Sequence, residues 1–395
     1  MYGMRMRKTT SALVGLLLAG VAATPAHAET IRSQQWHLDA MKADDIWKIS
    51  TGKGITVAVI DSGIDRIPEL EGQVLPGKDF EPESTRGDER TDVSSHGTTM
   101  AAVIAGTGKH PSGDGAFGLA PGAKILPIRV PHDMQLATPS WVEAIRYAAD
   151  SDAKVINISL AIGGTPKDDE ARRDAVKYAL SKGKLIFAGA GNDGNRTVKY
   201  PAATPGVVGV GAVDADGEPT KESQQGPFID MTAPGTDIVT GCAGKTGLCT
   251  SHGTSDATAL ASASAALLWS VHPDWTNNQV LRVLLNTAGK PVDGSQRNDS
   301  VGYGVVRPRI AVPTPGDPGP ADEFPLPDLA AAEAAAKSPS APADGKAPDA
   351  AASPGPAAQA GDEKDGGLLP WIGIGLGACL LIGGAVTAVA VRRNR

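Results

Sequence analysis

The chain has 395 residues, of which 41% are hydrophobic and 4% aromatic, and a formal net charge of −7. The apolar share excludes a wholly disordered chain, and the absence of a Gly-X-Y period excludes a collagen. Only three cysteines in so long a chain exclude a disulfide scaffold. The negative charge argues against a nucleic-acid partner, because such a partner requires a basic surface.

The first 28 residues have the pattern of a secretory signal peptide. Three basic residues among the first ten are followed by the apolar run Ala12–Ala23, and small residues stand at Ala26 and Ala28. A membrane anchor is the alternative, but the apolar run is too short to span a bilayer comfortably. We therefore predict export, with cleavage after Ala28.

Residues 29–311 alternate between apolar, β-rich runs and longer segments with helical spacing. This alternation predicts an α/β domain in which a mainly parallel sheet is flanked by helices. Functional groups in such sheets gather at the carboxyl ends of the strands. The predicted strands are Ile55–Ile60, Lys124–Val130, Lys154–Leu160, Lys184–Ala188 and Val207–Val213, and the predicted helices are His96–Ala105, Trp141–Asp150, Ala171–Ser181, Ala257–Ser270 and Asn278–Thr287.

The last 84 residues divide into a linker, a membrane span and a tail. Residues 312–367 are rich in proline and alanine and carry little apolar surface, which predicts a disordered linker. The uncharged segment Leu368–Val391 is long enough to cross ~30 Å of hydrocarbon as a helix. Residues 392–395 hold three arginines, which favour the cytoplasmic side. A removed lipid-anchor tail is the alternative. We predict a single-pass type I membrane protein with its folded domain outside the cell membrane.

Three residue types used in nucleophilic catalysis stand at glycine-flanked junctions between predicted elements. Asp61 directly follows a predicted strand, His96 begins a helix, and Ser255 begins another. Each alone has a plain structural explanation, as an Asx turn or as a helix cap. Together they follow the chain order Asp, His, Ser, which one lineage of catalytic triads uses.

At these motifs the sequence resembles the subtilisin-like serine protease family. The matching blocks are Asp61–Asp65, His96–Thr98 and Gly253–Ser255, and the resemblance extends over residues 36–311. Within the family it is most like the mycosins, membrane-anchored proteases associated with type VII secretion. The resemblance implies a subtilisin-like fold and an endopeptidase that forms an acyl-enzyme, with Asp61, His96 and Ser255 catalytic. It implies protein or peptide substrates, the cytoplasmic membrane and the secretion membrane complex as partners, and no cofactor.

The same resemblance assigns the oxyanion hole and the substrate-binding segment. The block Gly189–Gly194 places Asn192 as a side-chain donor, and the backbone N–H of Ser255 would be the second donor. A plain glycine-rich turn is the alternative for this block. Ser159, Leu160 and Ala161 match the segment that pairs with the substrate backbone in this family.

Two residues duplicate the catalytic motifs. The sequence Ser-His-Gly-Thr occurs at residues 95–98 and again at 251–254. His252 is only three residues before Ser255, so folding back onto that hydroxyl is awkward, and we assign the base to His96. We interpret Asp65 as a surface turn residue and Asp61 as the catalytic acid.

The chain departs from the family pattern at four positions, where it has Ala102, Ala161, Asp256 and Ala259. Asp256 is the most serious departure, because a carboxylate near the oxyanion would oppose the charge that forms there. It would be harmless if it pointed away or paired with a cation. These departures favour a second hypothesis, a weakly active or inactive structural subunit of the secretion complex. An esterase of another fold is disfavoured, since those enzymes place Ser before His.

Cys242 and Cys249 stand in a glycine-rich stretch just before Ser255. In an exported domain we predict that they form a disulfide, with free thiols as the alternative. No cluster of metal-ligating residues with a recognisable spacing is present in the sequence, and we predict no metal site.

Overall fold

The computed structural model describes residues 29–131, 137–167, 169–244 and 246–337. The predicted signal peptide, the predicted membrane span and the cytoplasmic tail lie outside the described residues, as does the linker from residue 338 onward. None of the helices in the described ranges is long and apolar enough to cross a membrane.

A seven-stranded sheet in the order β2-β3-β1-β4-β6-β8-β9 forms the centre of the domain, and its neighbouring strands run parallel. Two antiparallel pairs, β5 with β7 and β10 with β11, lie outside this sheet. The predicted α/β class with a mainly parallel sheet is confirmed. The strands are β1 (Thr56–Asp61), β2 (Lys78–Asp79), β3 (Lys124–Arg129), β4 (Val155–Ile158), β5 (Ile162–Gly163), β6 (Leu185–Gly189), β7 (Lys199–Tyr200), β8 (Val208–Val213), β9 (Met231–Pro234), β10 (Ile238–Gly241) and β11 (Leu248–Ser251).

Helices cover the central sheet on both faces. A short 3₁₀ helix, Pro68–Leu70, lies between β1 and β2 in the chain. The α-helices are α1 (Ile31–Gln34), α2 (Trp36–Ala40), α3 (Ala43–Ile46), α4 (His96–Ala105), α5 (Ala137–Asp150), α6 (Glu170–Ser181), α7 (Thr254–Val271), α8 (Asn277–Thr287), α9 (Pro308–Ala311) and α10 (Pro327–Lys337).

The continuous apolar runs of the strands follow from burial on both faces of the sheet. In β1, Val57 and Val59 pack into one hydrophobic cluster, while Ala58 and Ile60 pack into a second cluster on the opposite face. Successive side chains of a strand point to opposite faces, so a strand that is covered twice is apolar at nearly every position. Helices α4, α7 and α8 contribute to the first cluster, and α5 and α6 to the second.

Helix α7 is buried along most of its length, which explains its alanine-rich sequence. Fifteen of its eighteen residues are buried. Small side chains let this helix lie close against β4, β6, β8 and β9 while α4 packs beside it. Ala259, one of the departures from the family pattern, is fully buried inside the helix, and alanine is well suited to a helix interior.

The first part of the predicted linker differs from the sequence prediction. The Arg282 guanidinium donates to the carbonyl oxygens of Pro318 (2.8 Å) and Pro320 (2.7 Å), and Leu326 is 1% exposed. The Asp328 carboxylate accepts from the backbone N–H of Gly206 at 2.9 Å. Disorder is therefore the wrong prediction for residues 313–337. A segment that cannot form its own core is held here by side chains that lie far away in the sequence.

Candidate active site

Asp61 is the last residue of β1, at the carboxyl end of an inner strand of the sheet, and its carboxylate is fully buried. Its Oδ1 accepts hydrogen bonds from the backbone N–H of Ser62 at 2.8 Å and from His96 Nδ1 at 2.7 Å. Its Oδ2 is buried and has no hydrogen-bond partner among the described residues. The aspartate is thereby held as an acceptor directed at Nδ1, on the edge of the His96 ring.

His96 begins α4, and glycine on both sides of the contact lets that helix reach the end of β1. A Cβ at Gly97 would lie 2.2 Å from the carbonyl oxygen of Gly63. Gly63 has a φ of +108°, and a Cβ there would lie 2.1 Å from the Thr91 carbonyl oxygen. Glycine is required at both positions, because a side chain would force the aspartate and the histidine apart.

Asp92 connects the Asp61 and His96 segments, and no sequence motif drew attention to it. Its Oδ1 accepts from the Ser62 hydroxyl at 2.9 Å, and its Oδ2 accepts from the Thr98 backbone N–H at 2.8 Å. The Asp92 N–H in turn donates to Asp65 Oδ1 at 3.1 Å. Asp65 therefore supports the loop instead of contacting His96 through a hydrogen bond of its own.

The environment of His96 favours the protonated ring. Burial is the largest single effect and lowers the pKa of His96. The charge and the hydrogen bond of Asp61, helped by the charges of Asp256 and Asp92, outweigh burial and raise the pKa to about 9. The imidazole of this site therefore becomes neutral, and able to accept a proton, only as the pH rises.

Ser255 is the second residue of α7 and is tied to the end of β4. Its Oγ donates to the Ser159 carbonyl oxygen at 3.0 Å, and the Ser159 hydroxyl donates back to the Ser255 carbonyl oxygen at 3.0 Å. Ser255 and His96 line one cavity of about 300 Å³, and the segment 159–161 forms part of its wall. The structure thus brings the predicted nucleophile, base and substrate-binding segment together.

Asn192 lies in the same cavity, in the turn that follows β6. Its Oδ1 accepts from the backbone N–H of Thr254 at 2.9 Å, which leaves the two N–H bonds of its amide for another acceptor. Gly253 has a φ of +114°, and a Cβ there would lie 2.8 Å from Asn192 Nδ2. Glycine at position 253 therefore makes room for this amide beside Ser255.

His252 lies away from the cavity. Its Nδ1 contacts the Glu222 carboxylate at 2.8 Å, and its side chain is 69% exposed. This histidine is at the protein surface, which agrees with the assignment of the base to His96 and not to His252.

Asp256 points away from the cavity, which answers the question that the sequence left open. Its side chain is fully buried, its Oδ2 accepts from the Ser251 hydroxyl at 2.8 Å, and its Oδ1 has no hydrogen-bond partner in the described part of the chain. Burial raises the pKa of this carboxyl to about 6. The carboxylate acts on the site through its charge, by stabilising protonated His96.

Replacing Asp256 with asparagine is expected to lower the pKa of His96. The amide keeps an oxygen that can accept from Ser251, but it removes a negative charge that stabilises the imidazolium. The NMR titration of the His96 ring should shift to lower pH in Asp256→Asn. The rising limb of kcat/KM against pH, which reports the base of the free enzyme, should shift the same way. A pKa that stays constant or rises would contradict the assigned role of this charge.

Cys242 and Cys249 lie on the β10–β11 hairpin and are free thiols in this structure, so the predicted disulfide is not formed here. Burial is the main cause that raises the pKa of Cys249, to about 12, and the neighbouring Cys242 thiol raises it further. The same hairpin contacts the helix that carries His96, because the Ala243 N–H donates to Ser95 Oγ at 2.9 Å. The disulfide stays a prediction for the oxidised protein.

Oxidation of the exported domain is expected to join Cys242 and Cys249. The mass of the intact ectodomain should fall by two hydrogens, and a peptide map should link these two cysteines. The chain-entropy estimate for so short a loop is about 2.5 kcal/mol of added stability, measurable by denaturant unfolding with and without reductant. Cys242→Ser should unfold at the same midpoint in both conditions. Equal midpoints for the unsubstituted protein would count against the prediction.

Within the described ranges, no group of three or more His, Cys, Asp or Glu side chains is arranged to hold a metal ion.

The fold and the cavity together define a class of protein. An aspartate–histidine pair and a helix-start serine, at the carboxyl ends of a parallel sheet in this strand order, are features of serine hydrolases with a subtilisin-like fold.

Comparison with known proteins gives the particular family. The model of the subtilase family matches residues 52–304, more than half of the chain, so the chain belongs to this family. It is 38% identical over 244 residues to Subtilisin E of Bacillus subtilis (strain 168), covering 60% of this chain and 61% of that protein. It is 33% identical over 341 residues to Mycosin-1 of Mycobacterium tuberculosis, covering 72% of this chain and 74% of Mycosin-1.

Solved structures of similar proteins agree with this assignment. MycP1 from Mycobacterium smegmatis has a TM-score of 0.65 at 29% identity, over 73% of this chain and 86% of that one. A chain of an intact ESX-5 inner membrane complex has a TM-score of 0.66 at 27% identity, over 77% of this chain and 83% of that one. The predicted resemblance to subtilisin-like proteases, and to mycosins among them, is confirmed.

Proposed function

We propose that the protein is a serine endopeptidase that forms an acyl-enzyme on Ser255. The observation that carries the proposal is the 2.7 Å contact between His96 Nδ1 and buried Asp61, at a cavity that Ser255 also lines. Membership of the subtilase family supports the same reaction class. Since the chain spans 61% of the length of Subtilisin E, the activity is proposed from this chain's own residues.

His96 would act as the general base. A serine hydroxyl is a weak nucleophile near neutral pH, so its proton must be removed as the oxygen attacks. Asp61 would hold the proton on Nδ1, leaving Nε2 as the acceptor, and would stabilise the imidazolium that forms. The Ser255 hydroxyl donates to the Ser159 carbonyl oxygen in this structure. Attack therefore requires this hydroxyl to turn from Ser159 to His96 Nε2.

Asn192 and the Ser255 backbone N–H would stabilise the oxyanion. The amide of Asn192 is oriented in advance by the Thr254 N–H, which occupies its Oδ1. The N–H of Ser255 lies in the first turn of α7, where the positive end of the helix dipole favours negative charge. Donors that are fixed before the reaction cost no reorganisation when the charge develops.

Substrate would bind as an extended strand along the segment Ser159, Leu160 and Ala161. This segment lies between β4 and β5, and the three residues line the cavity beside Ser255. Pairing between main chains gives affinity that does not depend on the substrate's side chains. Selection among substrates then depends on what else lines the cavity.

We place this activity outside the cytoplasmic membrane, on a type I anchor. The proposal rests on the predicted signal peptide and on the predicted span 368–391. Similarity to a chain of the ESX-5 inner membrane complex supports association with a type VII secretion complex. Protein and peptide substrates in that compartment would pass close to the cavity.

Labelling of the full chain with a fluorophosphonate tests the activity directly. The probe reacts only with a serine that a neighbouring base activates, so a label on Ser255 that rises with pH is expected. Ser255→Ala should remove the label, and Ser262→Ala, which alters a serine of α7 outside the cavity, should keep it. Equal labelling of the unsubstituted protein and Ser255→Ala would refute the proposal.

A structural role in the secretion complex is the second candidate. The observation in its favour is Asp256, whose charge adds to that of Asp61 in raising the pKa of His96 and so opposes the action of His96 as a base at neutral pH. In a strain that lacks the chromosomal copy, Ser255→Ala should restore complex assembly if the role is structural. Restored assembly and secretion without labelling would favour this role, whereas loss of both would favour proteolysis.

A further inference from the structure

The wall of the active-site cavity carries an ion pair that the proposed reaction does not use. Lys199 and Asp193 both line the cavity, and Lys199 Nζ lies 2.5 Å from Asp193 Oδ2. The lysine is the more enclosed partner, with 17% of its side chain exposed against 51% for the aspartate. An ion pair inside a cavity where a substrate side chain would enter has to affect which side chain is accepted.

Lys199 is held in place by elements that also position the proposed reaction. It belongs to β7, which pairs with β5, and β5 directly follows the segment 159–161. The stem of Lys199 packs over Gly191, since a Cβ at Gly191 would lie 3.0 Å from Lys199 Cγ and 3.5 Å from its Cε. The lysine therefore lies along the wall that leads to Asn192.

The position of the pair indicates which substrate residue would meet it. A carbonyl oxygen bound by Asn192 and by the Ser255 N–H belongs to the residue on the acyl side of the scissile bond. The side chain of that residue would reach the wall formed by Gly191, Asp193 and Lys199, because Gly191 and Asp193 stand on either side of Asn192 and all three line the same cavity. It would enter a space of about 300 Å³ in which the ammonium is the enclosed charge.

The Lys199–Asp193 ion pair favours a substrate side chain that can accept a hydrogen bond. An ammonium carries three donors and no acceptor, and Asp193 occupies one of those donors. A glutamine or glutamate side chain can take another donor as it displaces water. An aromatic or aliphatic side chain of similar size would remove water from the ion pair without replacing its hydrogen bonds, which is unfavourable. A lysine side chain would bring a second cation beside the first.

We propose that Lys199, positioned by Asp193, is a specificity-determining residue that selects glutamine or glutamate on the acyl side of the scissile bond. This inference rests on the proposed endopeptidase activity. It concerns which peptides are cut, and it leaves the reaction at Ser255 unchanged.

Hydrolysis of a matched peptide series tests the selection. The peptides share one sequence and carry Gln, Glu, Met, Phe or Lys on the acyl side of one bond. Met is the apolar counterpart of Gln in length, so this pair isolates the hydrogen bond. The unsubstituted protein should prefer Gln and Glu over Met by roughly 10- to 100-fold in kcat/KM, as expected for a hydrogen bond to a charged group.

Two variants test the two residues of the ion pair separately. Lys199→Met should remove the preference for Gln over Met. Asp193→Asn should raise kcat/KM for the Glu peptide relative to the Gln peptide, because the Lys199 ammonium loses the negative charge that compensates it. Lys221→Met, at an exposed lysine outside the cavity, should leave the order of the five peptides unchanged. An order that is the same in Lys199→Met as in the unsubstituted protein overturns the inference.

Labelling with the fluorophosphonate separates failure of this inference from failure of the proposed function. The reaction needs Ser255 and its base and no substrate side chain, so the unsubstituted protein and Lys221→Met should both be labelled. No labelling of the unsubstituted protein means that the proposed function is wrong. Where labelling is normal, the five peptides are also scored as competitors of the label, which requires no turnover. If the protein is labelled but the Gln, Met and Phe peptides compete with the label equally well, the inference about Lys199 is refuted and the proposed endopeptidase function is not.

Discussion

Replacing His96 with alanine is expected to lower kcat for peptide hydrolysis by about 10⁶-fold. This is the size of loss measured in subtilisin, a relative of this chain, when its histidine is removed. Without the imidazole, no other base lines the cavity close to Ser255 in the described part of the chain except Asp193, which is paired with Lys199. Because the nucleophile and base act as a unit, the double variant His96→Ala/Ser255→Ala should be no slower than either single variant.

The chain supplies its own control for this experiment. His252 is preceded and followed by the same residues as His96, yet its ring is mostly exposed and contacts Glu222. His252→Ala should therefore keep kcat within a small factor of the unsubstituted value. Steady-state hydrolysis, corrected for the fraction of folded protein, gives the comparison. Similar losses in the two histidine variants would contradict the assignment of His96 as the base.

Replacing Asp61 with asparagine is expected to lower kcat by about 10⁴-fold, as in other proteases of this mechanism. One carboxylate oxygen accepts from both the Ser62 N–H and His96 Nδ1. If the amide oxygen takes that place, both contacts survive, but the charge that stabilises the imidazolium is lost. The amide nitrogen then lies at the buried Oδ2 site, where the carboxylate oxygen has no hydrogen-bond partner among the described residues.

The opposite orientation of the amide is no better for catalysis. Its nitrogen would then donate to His96 Nδ1, and the ring proton would move to Nε2, the atom that must accept from Ser255. In both orientations the pKa of His96 falls, because an anion is lost. Nitrogen chemical shifts of the ring distinguish the two tautomers. Asp65→Asn is the control, since its amide oxygen can still accept from Asp92, and it should leave kcat nearly unchanged.

The proposed roles of Asp61, His96 and Ser255 could be predicted from their order in the chain and from the glycines beside them. Those glycines are required by the local backbone geometry, which a sequence motif records. Gly63, Gly97 and Gly253 stand where a Cβ would collide with a neighbouring carbonyl or amide. The five predicted strands and five predicted helices correspond to observed elements, with ends shifted by a few residues. Their apolar runs and helical spacing reflect burial, which a sequence records directly.

The short elements escaped the sequence analysis. Strand β9 has four residues and ends in Pro234, and β5 and β7 have two residues each. Such segments carry no periodicity, and their pairing is decided by the neighbouring chain. The packed segment 313–337 was missed for the same reason, because Arg282 and Gly206 hold it from positions far away in the sequence.

By itself, the sequence determined the α/β class and the family. It also identified Asp61, His96, Asn192 and Ser255 as the candidate active-site residues. These follow from local motifs, whose geometry depends on adjacent residues. Only the tertiary structure decided that Asp256 turns toward Ser251, that Asp92 joins the Asp61 and His96 segments, and that Lys199 and Asp193 share the cavity wall. Each of these contacts joins separate elements or opposite sides of a turn, so the side-chain directions depend on packing that no local pattern contains.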